Sequence, residues 1–242
     1  VPASGHILLV ADYNQIELRC IAHLAEDPGL VAAFTAGEDI HTATAARVFH
    51  VEPDEVTGAQ RAKAKMVSYG LAYGMEAYGL GQRLNIPTDE AQTILDAYFA
   101  AFPSVRSYME RTVAEARERG YTETLFGRRR RIPELSSGQR NIRMAGERQA
   151  MNAGIQGLAA DIFKVALVRI DRAFGERAAA AGGDGGADLI LQVHDEVICE
   201  VVPEQLDEVR ALVVDLMRGA FEMDVPLEVN VAAGATWADA KG

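Results

Sequence analysis

Segments with the composition of β-strands lie near both ends of the chain and enclose a long helical middle. Residues 5–11 (GHILLVA) and the apolar runs on either side of His194-Asp195-Glu196 are rich in Leu, Ile and Val, and a last strand is expected within 226–234. The runs around 194–196 are joined by only two or three polar residues, which predicts a β-hairpin. Strands at both ends of a helical middle predict an α+β fold with a helical insertion.

The middle of the chain carries helical periodicity that is interrupted at recognisable breaks. Asp27-Pro28-Gly29 divides residues 16–35 into two short helices, and Gly70, Gly74 and Gly79 weaken the helical pattern of 54–80. Further helices are expected at 42–49, 88–102, 104–119, 138–180 and 203–219, with a hairpin at 121–132 that turns at Gly127 and a flexible loop at 178–188.

Composition limits the class of protein and its partners. The chain has 242 residues, 49% of them hydrophobic and 24% charged, which suffices for a globular core. No apolar run approaches the ~20 residues that span a bilayer, so we expect no membrane partner. The cytoplasm is the default compartment, and we expect a monomer. Cys20 and Cys199 lie in apolar stretches and are expected as buried thiols. Because the first residue is Val1 rather than Met, we expect a part of a longer chain.

The net charge of −11 opposes nucleic-acid binding only weakly, because charges more than a Debye length apart are screened from one another. The distribution of the cations matters more than their sum. Residues 128–131 are four consecutive arginines, and Arg61, Lys63 and Lys65 form a second basic group. The arginine run is read as a solvated turn or as a phosphate contact.

Two aspartates follow apolar strands directly. Asp12 ends the first strand, and Asp195 ends the strand that enters the late hairpin. If the strands are neighbours, two carboxylates about 4 Å apart repel by about 4 kcal/mol at an effective dielectric constant near 20. Such a pair shares a proton or holds a cation, and oxygen ligands favour Mg²⁺ in a two-metal phosphoryl-transfer site. The alternative is that Asp12 caps a helix and Asp195 is an ordinary turn residue.

A stripe of cations and aromatics runs through QRAKAKMVSYGLAYGM, residues 60–75. Arg61, Lys65, Tyr69 and Tyr73 recur every four residues and would form one face about 18 Å long on a helix. Two cations followed by two aromatics suit a nucleotide, with its phosphates at one end and its base and sugar at the other. The alternative is a solvated basic turn followed by two core tyrosines.

A second polar stripe lies in residues 147–161. Arg148, Asn152 and Gln156 share a helical face at four-residue spacing. Their side chains could read the groove or sugar edge of a nucleic acid. The alternative is the solvent-exposed side of an ordinary helix.

Three motifs in order resemble motifs A, B and C of family A DNA polymerases, the bacterial polymerase I type. They are VADYNQIELR (10–19), RAKAKMVSYGLAYG (61–74) and LQVHDE (191–196), supported by EDIHTATA (38–45), TLFGRRR (124–130) and NAGIQGLAADI (152–162). The resemblance implies an antiparallel-sheet palm with a mostly helical fingers insertion, divided as palm 1–34, fingers 35–139 and palm 140–242. It also implies two Mg²⁺ ions, dNTP and a DNA primer-template.

The resemblance further implies roles at matching positions. Asp12 and Asp195 would bind metal together with the backbone carbonyl of Tyr13, Glu196 would support them, and Lys65 would act as general acid toward pyrophosphate. Glu17, bonded to Tyr73, would exclude a ribose 2′-hydroxyl. The nucleotide-binding residues would be Gln15, Glu17, His41, Arg61, Lys65, Tyr69 and Tyr73, and the DNA-binding residues Arg148, Asn152, Gln156 and His194.

The chain departs from the family pattern at several positions without losing a catalytic ligand. Asn14, Ala62, Ser68 and Gly154 replace Ser, Arg, Asn and Pro. Tyr69 is similar to members that accept dideoxynucleotides readily, so we expect that property here. Nothing resembles a thumb, a proofreading domain or a 5′-nuclease, so weak grip on duplex DNA and low processivity are expected.

Two other functions are compatible with these motifs. One is a catalytically incomplete fragment that binds nucleotide or primer-template without efficient turnover. The other is a phage-type single-subunit RNA polymerase, which has related motifs, although Glu17 and its QIELR context favour DNA.

Overall fold

The structure is a computed structural model that describes residues 1–241, and it divides into two compact units. The sheet unit comprises residues 1–16, 160–223 and 227 onward, and the helical unit comprises 17–159 and 224–226. Helices and an antiparallel sheet occupy largely separate parts of the chain, so the α+β class is confirmed. The naming of segments as palm and fingers stays a prediction.

In chain order the elements are β1 (Ile7–Tyr13), α1 (Ile16–Ala25), α2 (Pro28–Thr35), α3 (Ile40–Phe49), α4 (Gly58–Ala72), α5 (Ala77–Leu84), α6 (Thr88–Ala101), α7 (Pro103–Arg119), β2 (Tyr121–Glu123), β3 (Arg129–Arg131), α8 (Arg140–Ala181), β4 (Ala187–Val193), β5 (Glu196–Val201), α9 (Leu206–Arg218), β6 (Val229–Gly234) and α10 (Trp237–Lys241), with 3-10 turns at Pro53–Glu55, Pro133–Ser136 and Pro203–Gln205. Within the described residues, no helix is both long and apolar enough to cross a membrane.

The sheet unit is built on four antiparallel strands in the order β4-β5-β1-β6. Strand β1 pairs on both sides, and Leu8, Leu9, Val10 and Ala11 are all buried, which explains its unbroken apolar sequence. The strand continues through Asp12 and Tyr13, two residues beyond the predicted end. Strand β6 begins at Val229, later than the segment predicted from 226.

The predicted late hairpin is present, and its turn consists of His194 and Asp195 alone. Val193 pairs with Glu196 across the turn. A two-residue turn needs a positive φ, and here His194 provides it at 56° instead of a glycine. Glu196, predicted as part of the turn, is therefore the first residue of β5.

Side-chain caps set the helix boundaries of the helical unit. Asp27 ends the α1–α2 connection, since its Oδ1 accepts hydrogen bonds from the amides of Gly29 and Leu30 at 3.0 and 3.2 Å. Thr57 and Gln60 form a reciprocal capping box at the start of α4. The two helices expected within 16–35 are thus confirmed, and Asp27 caps the start of the second.

Helix α4 ends earlier than the four-residue stripe requires. Ala72 is its last residue, Tyr73 is the C-cap, and Gly74 follows with φ +66°. Tyr73 therefore lies at the helix end rather than on the predicted continuous face. Gly70 and Gly79 make room for Met75, because a Cβ at either position would lie 3.3 Å or less from its side chain.

Candidate active site

The two aspartates singled out in the sequence lie on neighbouring strands of the sheet unit. The β1–β5 register places Asp12 opposite Glu196, and the amide of Tyr13 donates to the carbonyl of Asp195 at 3.4 Å. On its other side Asp12 is opposite Asn230 of β6. The pairing of β1 with β5 thus brings the backbones of the motif A and motif C segments side by side, as the divalent-cation hypothesis requires.

The donor set suits Mg²⁺ held jointly with a substrate. Asp12 and Asp195 are half-buried and provide carboxylate oxygens, and Tyr13 provides a backbone carbonyl. Among the described residues, no group of three or more His, Cys, Asp or Glu side chains forms a metal cage. Mg²⁺ usually keeps waters and binds through one or two carboxylates plus substrate phosphates. Two half-buried carboxylates are consistent with that mode, and the ligand roles stay predictions.

Tyr13 combines a structural side chain with a candidate ligand carbonyl. Its hydroxyl donates to the carbonyl of Met217 at 2.7 Å, and its ring meets the edge of Phe163 at a centroid distance of 6.2 Å. The side chain is buried in the sheet unit. The side chain therefore fixes the end of β1 at the residue whose backbone carbonyl is the predicted metal ligand.

Glu196 has a partner that the sequence reasoning missed. The indole Nε1 of Trp237, on α10, donates to Glu196 Oε1 at 2.6 Å. The two residues are 41 positions apart, and no periodicity or motif in the sequence connects them. Only the pairing of the strands and the docking of α10 reveal the contact.

Two other candidate residues of the sheet unit adopt left-handed backbone conformations. Gln15, between β1 and α1, and His194, in the hairpin turn, have φ values of 56°. Non-glycine residues adopt such angles uncommonly and at a cost of order 1–3 kcal/mol. Gln15 thus follows β1 and His194 follows β4, and each is close in sequence to one of the two aspartates.

In the helical unit, the predicted phosphate-binding cation Arg61 is held by a residue that received no role from the sequence. Asp39 Oδ2 accepts from Arg61 Nε at 2.7 Å, while its Oδ1 caps α3 through the amides of His41 and Thr42. Burial opposes ionisation of Asp39, but these bonds outweigh it and keep its pKa below the usual range. Asp39 thus anchors an otherwise exposed guanidinium.

His41 is buried beside the same basic group. The side chain is 2% exposed, its Nδ1 has no hydrogen-bond partner, and its ring lies 5.6 Å from that of Tyr69. Burial lowers the pKa of His41 to about 4; Asp39 opposes the shift, and the cations Arg61 and Lys65 add to it. The imidazole is therefore neutral at physiological pH and keeps an unused polar atom.

The remaining α4 candidates are also brought together with partners inside the helical unit. Lys65 Nζ lies 6.0 Å from the centroid of the Tyr69 ring, and the Tyr73 hydroxyl donates to Glu17 Oε1 at 2.9 Å. The Glu17–Tyr73 bond is the one implied by the family resemblance. The core-tyrosine alternative does not describe Tyr73, which is exposed.

Two of the DNA-binding candidates on α8 contact the α4–α5 connection. Arg148 Nη1 pairs with Glu76 Oε1 at 3.2 Å, and a Cβ at Gly74 would lie 3.0 Å from Arg148 Cβ and 3.1 Å from Asn152 Oδ1. Asn152 Oδ1 is buried without a partner. These side chains are half-buried, as is Gln156, rather than lying on a fully solvated face.

The exposed arginine run of β3 is attached to α8. Arg128 Nη2 donates to the carbonyl of Gly157 at 3.0 Å, and Arg130 Nη2 donates to Gln149 Oε1 at 3.2 Å. Arg129 pairs with Glu123 instead. Each arginine remains exposed, so phosphate contact stays a prediction.

The structure explains two of the departures from the family pattern. Ser68 is buried and hydrogen-bonds the hydroxyl of Tyr98. At Gly154 a Cβ would lie 2.5 Å from the Tyr108 hydroxyl, which occupies the space that a larger residue would need. Ala62 is exposed, and no contact accounts for its identity.

The comparisons with known proteins agree on one family. A family model described as DNA polymerase family A matches residues 1–239. The chain is 52% identical over 230 residues to DNA polymerase I of Mycobacterium bovis, covering 95% of this chain and 25% of the relative. It is 46% identical over 241 residues to the thermostable DNA polymerase I of Thermus filiformis, covering 100% of this chain and 28% of the relative.

A solved structure shares the fold over the full chain. It is the POL domain of Pol1 from M. smegmatis in complex with DNA primer-template and dNTP, with a TM-score of 0.92 and 47% identity. The alignment covers 100% of this chain and 42% of that one. The chain spans about a quarter of the length of the curated relatives it matches.

Proposed function

The chain belongs to DNA polymerase family A, and from this premise we propose that it carries out template-directed DNA synthesis. The reaction transfers a nucleotide from a dNTP to the 3′-hydroxyl of a primer. The primer oxygen forms a bond to the α-phosphorus, and the bond from that phosphorus to the pyrophosphate breaks. The proposal extends to this chain the ligands of the M. smegmatis POL domain, which was solved with DNA primer-template and dNTP.

One observation carries the proposal: the β1–β5 pairing that sets Asp12 opposite Glu196 with Asp195 as the preceding residue. In the proposed reaction Asp12, Asp195 and the Tyr13 carbonyl hold two Mg²⁺ ions. When bound, the ions supply charge neutralisation at the phosphates and activation of the attacking oxygen. Glu196 supports the aspartates, and His194 contacts the DNA from the hairpin turn.

The helical unit supplies the groups for the incoming nucleotide. Arg61 and Lys65 bind the triphosphate, and Lys65 donates a proton to the leaving pyrophosphate. Arg61 donates to Asp39 at 2.7 Å, so a triphosphate would compete with that carboxylate for the guanidinium. His41 is assigned to the nucleotide as well, and its Nδ1, which is buried without a hydrogen-bond partner, supports this role.

The sugar and the template are assigned to further residues, all of the helical unit except Gln15. Glu17 is assigned the exclusion of a ribose 2′-hydroxyl, and the hydrogen bond that it accepts from the Tyr73 hydroxyl supports this role. Gln15 and Tyr69 approach the nucleotide, and Arg148, Asn152 and Gln156 contact primer or template. A phage-type RNA polymerase lacks support, since the family that matches is a DNA polymerase family.

Primer extension with the 242-residue chain tests the proposal. A labelled primer on a longer template is extended with dNTPs and Mg²⁺ by wild type, Asp195→Ala and the matched control Asp188→Ala. Asp188 is an exposed aspartate on β4 of the same hairpin. We expect extension by wild type and Asp188→Ala and its loss in Asp195→Ala. Binding of primer-template or dNTP without extension in any of the three would support the fragment alternative instead.

A further inference from the structure

Glu196 is a buried carboxylate next to the candidate metal ligand Asp195 in the chain. It is 7% exposed and stands opposite Asp12 in the β1–β5 register. Burying a charge is costly unless it is hydrogen-bonded. The bond from Trp237 Nε1, at 2.6 Å, meets this need and restricts the rotation of the carboxylate.

The packing of α10 against the sheet holds Trp237 in this position. Ala240 packs with Leu8, Val10 and Ile198 of the sheet. Gly234 permits the close approach of α10, because a Cβ there would lie 2.8 Å from the Ala240 amide nitrogen and from Asp239 Cβ. Thr236 caps the helix by accepting from the Asp239 amide at 3.1 Å.

We propose that Trp237 is a positioning residue, whose indole N–H orients the Glu196 carboxylate beside Asp12 and thereby raises the affinity of the site for divalent cations. This inference rests on the proposed function. Residues that orient a metal-binding group, without touching the metal, typically contribute 10–100-fold to metal affinity or activity. Trp237 touches neither substrate nor metal in this role and acts only through Glu196.

Mn²⁺ binding followed by the EPR signal of the free ion tests the proposal without catalysis. Trp237→Phe removes the N–H and keeps an aromatic ring, and we expect about tenfold weaker Mn²⁺ binding. Thr236→Val is the matched control, because it weakens the cap of the same helix and leaves the indole N–H in place. It should lower Tm and leave Mn²⁺ affinity unchanged. Binding by Trp237→Phe within twofold of wild type would overturn the inference.

A double-mutant cycle separates action through Glu196 from a general effect on the fold. In a Glu196→Ala background, Trp237→Phe should cause no further loss of Mn²⁺ affinity. A second loss of about tenfold would mean that Trp237 acts by another route and would overturn the proposal. If wild type binds no Mn²⁺, the proposed metal site and this inference both fail; if wild type binds and Trp237→Phe is unaffected, only the inference fails.

The unmodified chain offers a spectroscopic check that needs no variant, which matters if Trp237→Phe does not fold. Trp237 is the single tryptophan of the chain, so the emission excited at a wavelength that tyrosine does not absorb reports on this side chain alone. Mg²⁺ added up to saturation should shift or quench the emission with the same midpoint as metal binding. A spectrum that stays constant while the metal binds would contradict the proposal.

Discussion

The buried histidine His41 makes stability depend on pH. Its pKa is lowered from 6.5 to about 4, so the folded chain binds the proton more weakly than the unfolded chain. The stabilisation is therefore complete above about pH 6.5 and is lost progressively as the pH falls toward 4, by up to about 3 kcal/mol. Urea unfolding of wild type and His41→Gln at pH 7 and pH 4.5 measures the effect.

The variant cannot be protonated at this position, so its stability should fall less on acidification than that of wild type. The control is Gln82→Asn, at an exposed residue of α5 without a titratable group, which should lose as much unfolding free energy on acidification as wild type. Equal pH dependence of wild type and His41→Gln would show that burial does not hold this imidazole neutral.

Tyr69 is the residue expected to govern selection at the 3′-position of the sugar. Its ring lies beside His41 and Lys65, and the family resemblance associates Tyr at this position with ready use of dideoxynucleotides. We expect near-equal incorporation of dideoxy and deoxy substrates in competition assays, and stronger discrimination by Tyr69→Phe. Strong discrimination by the wild-type chain would count against the assignment.

At the scale of elements, the connection between α4 and α5 depends on Gly74. Its φ is +66°, and an added Cβ would crowd Arg148 and Asn152. Gly74→Ala therefore incurs both a left-handed backbone penalty, about 1–2 kcal/mol, and overpacking, typically 1–3 kcal/mol. Gly127→Ala is the matched control, since Gly127 has φ +80° with nothing within 4 Å of an added Cβ.

Chemical denaturation should therefore show a larger loss of unfolding free energy for Gly74→Ala than for Gly127→Ala, and primer-template binding should weaken only in the former. Equal losses of unfolding free energy in the two variants would mean that α8 moves enough to accommodate the added methyl group.

The β4–β5 hairpin carries backbone strain at His194. A glycine there would relieve the left-handed conformation, so His194→Gly should raise the unfolding free energy by up to about 1 kcal/mol while weakening DNA binding. His50→Gly, at another left-handed histidine with φ 54°, should stabilise to a similar extent and leave DNA binding unchanged. Thermal melting and primer-template titration measure the two effects. Unchanged DNA affinity in His194→Gly would remove this residue from the DNA-binding set.

For the whole molecule, the sequence predicts those features that depend on local pattern. Apolar runs locate the strands, Asp27-Pro28 divides the first helices, and the Thr57–Gln60 box marks the start of α4. These signals are local because a cap or an apolar face involves residues a few positions apart. The family motifs add the candidate residues, but not their contacts.

The contacts that could not be predicted join residues far apart in the chain. The Trp237–Glu196 bond and the Arg61–Asp39 pair follow from how strands and helices pack, which periodicity does not encode. The two-residue turn depends on a left-handed backbone angle at His194 that a non-glycine residue adopts uncommonly. The sequence therefore supplies the candidate residues, whereas Asp39 and Trp237, which bond two of them, are found only in the structure.

The central claim is that Asp12 and Asp195 share two divalent ions, and EPR of the Mn²⁺-loaded chain tests it most directly. The sample contains a dideoxy-terminated primer on its template and the next correct dNTP, so that no turnover occurs. Two ions held by the same two carboxylates should give the spectrum of a spin-coupled pair, and this spectrum should be lost in Asp12→Asn and in Asp195→Asn. Signals from isolated Mn²⁺ ions only, in the wild-type complex, would contradict the claim.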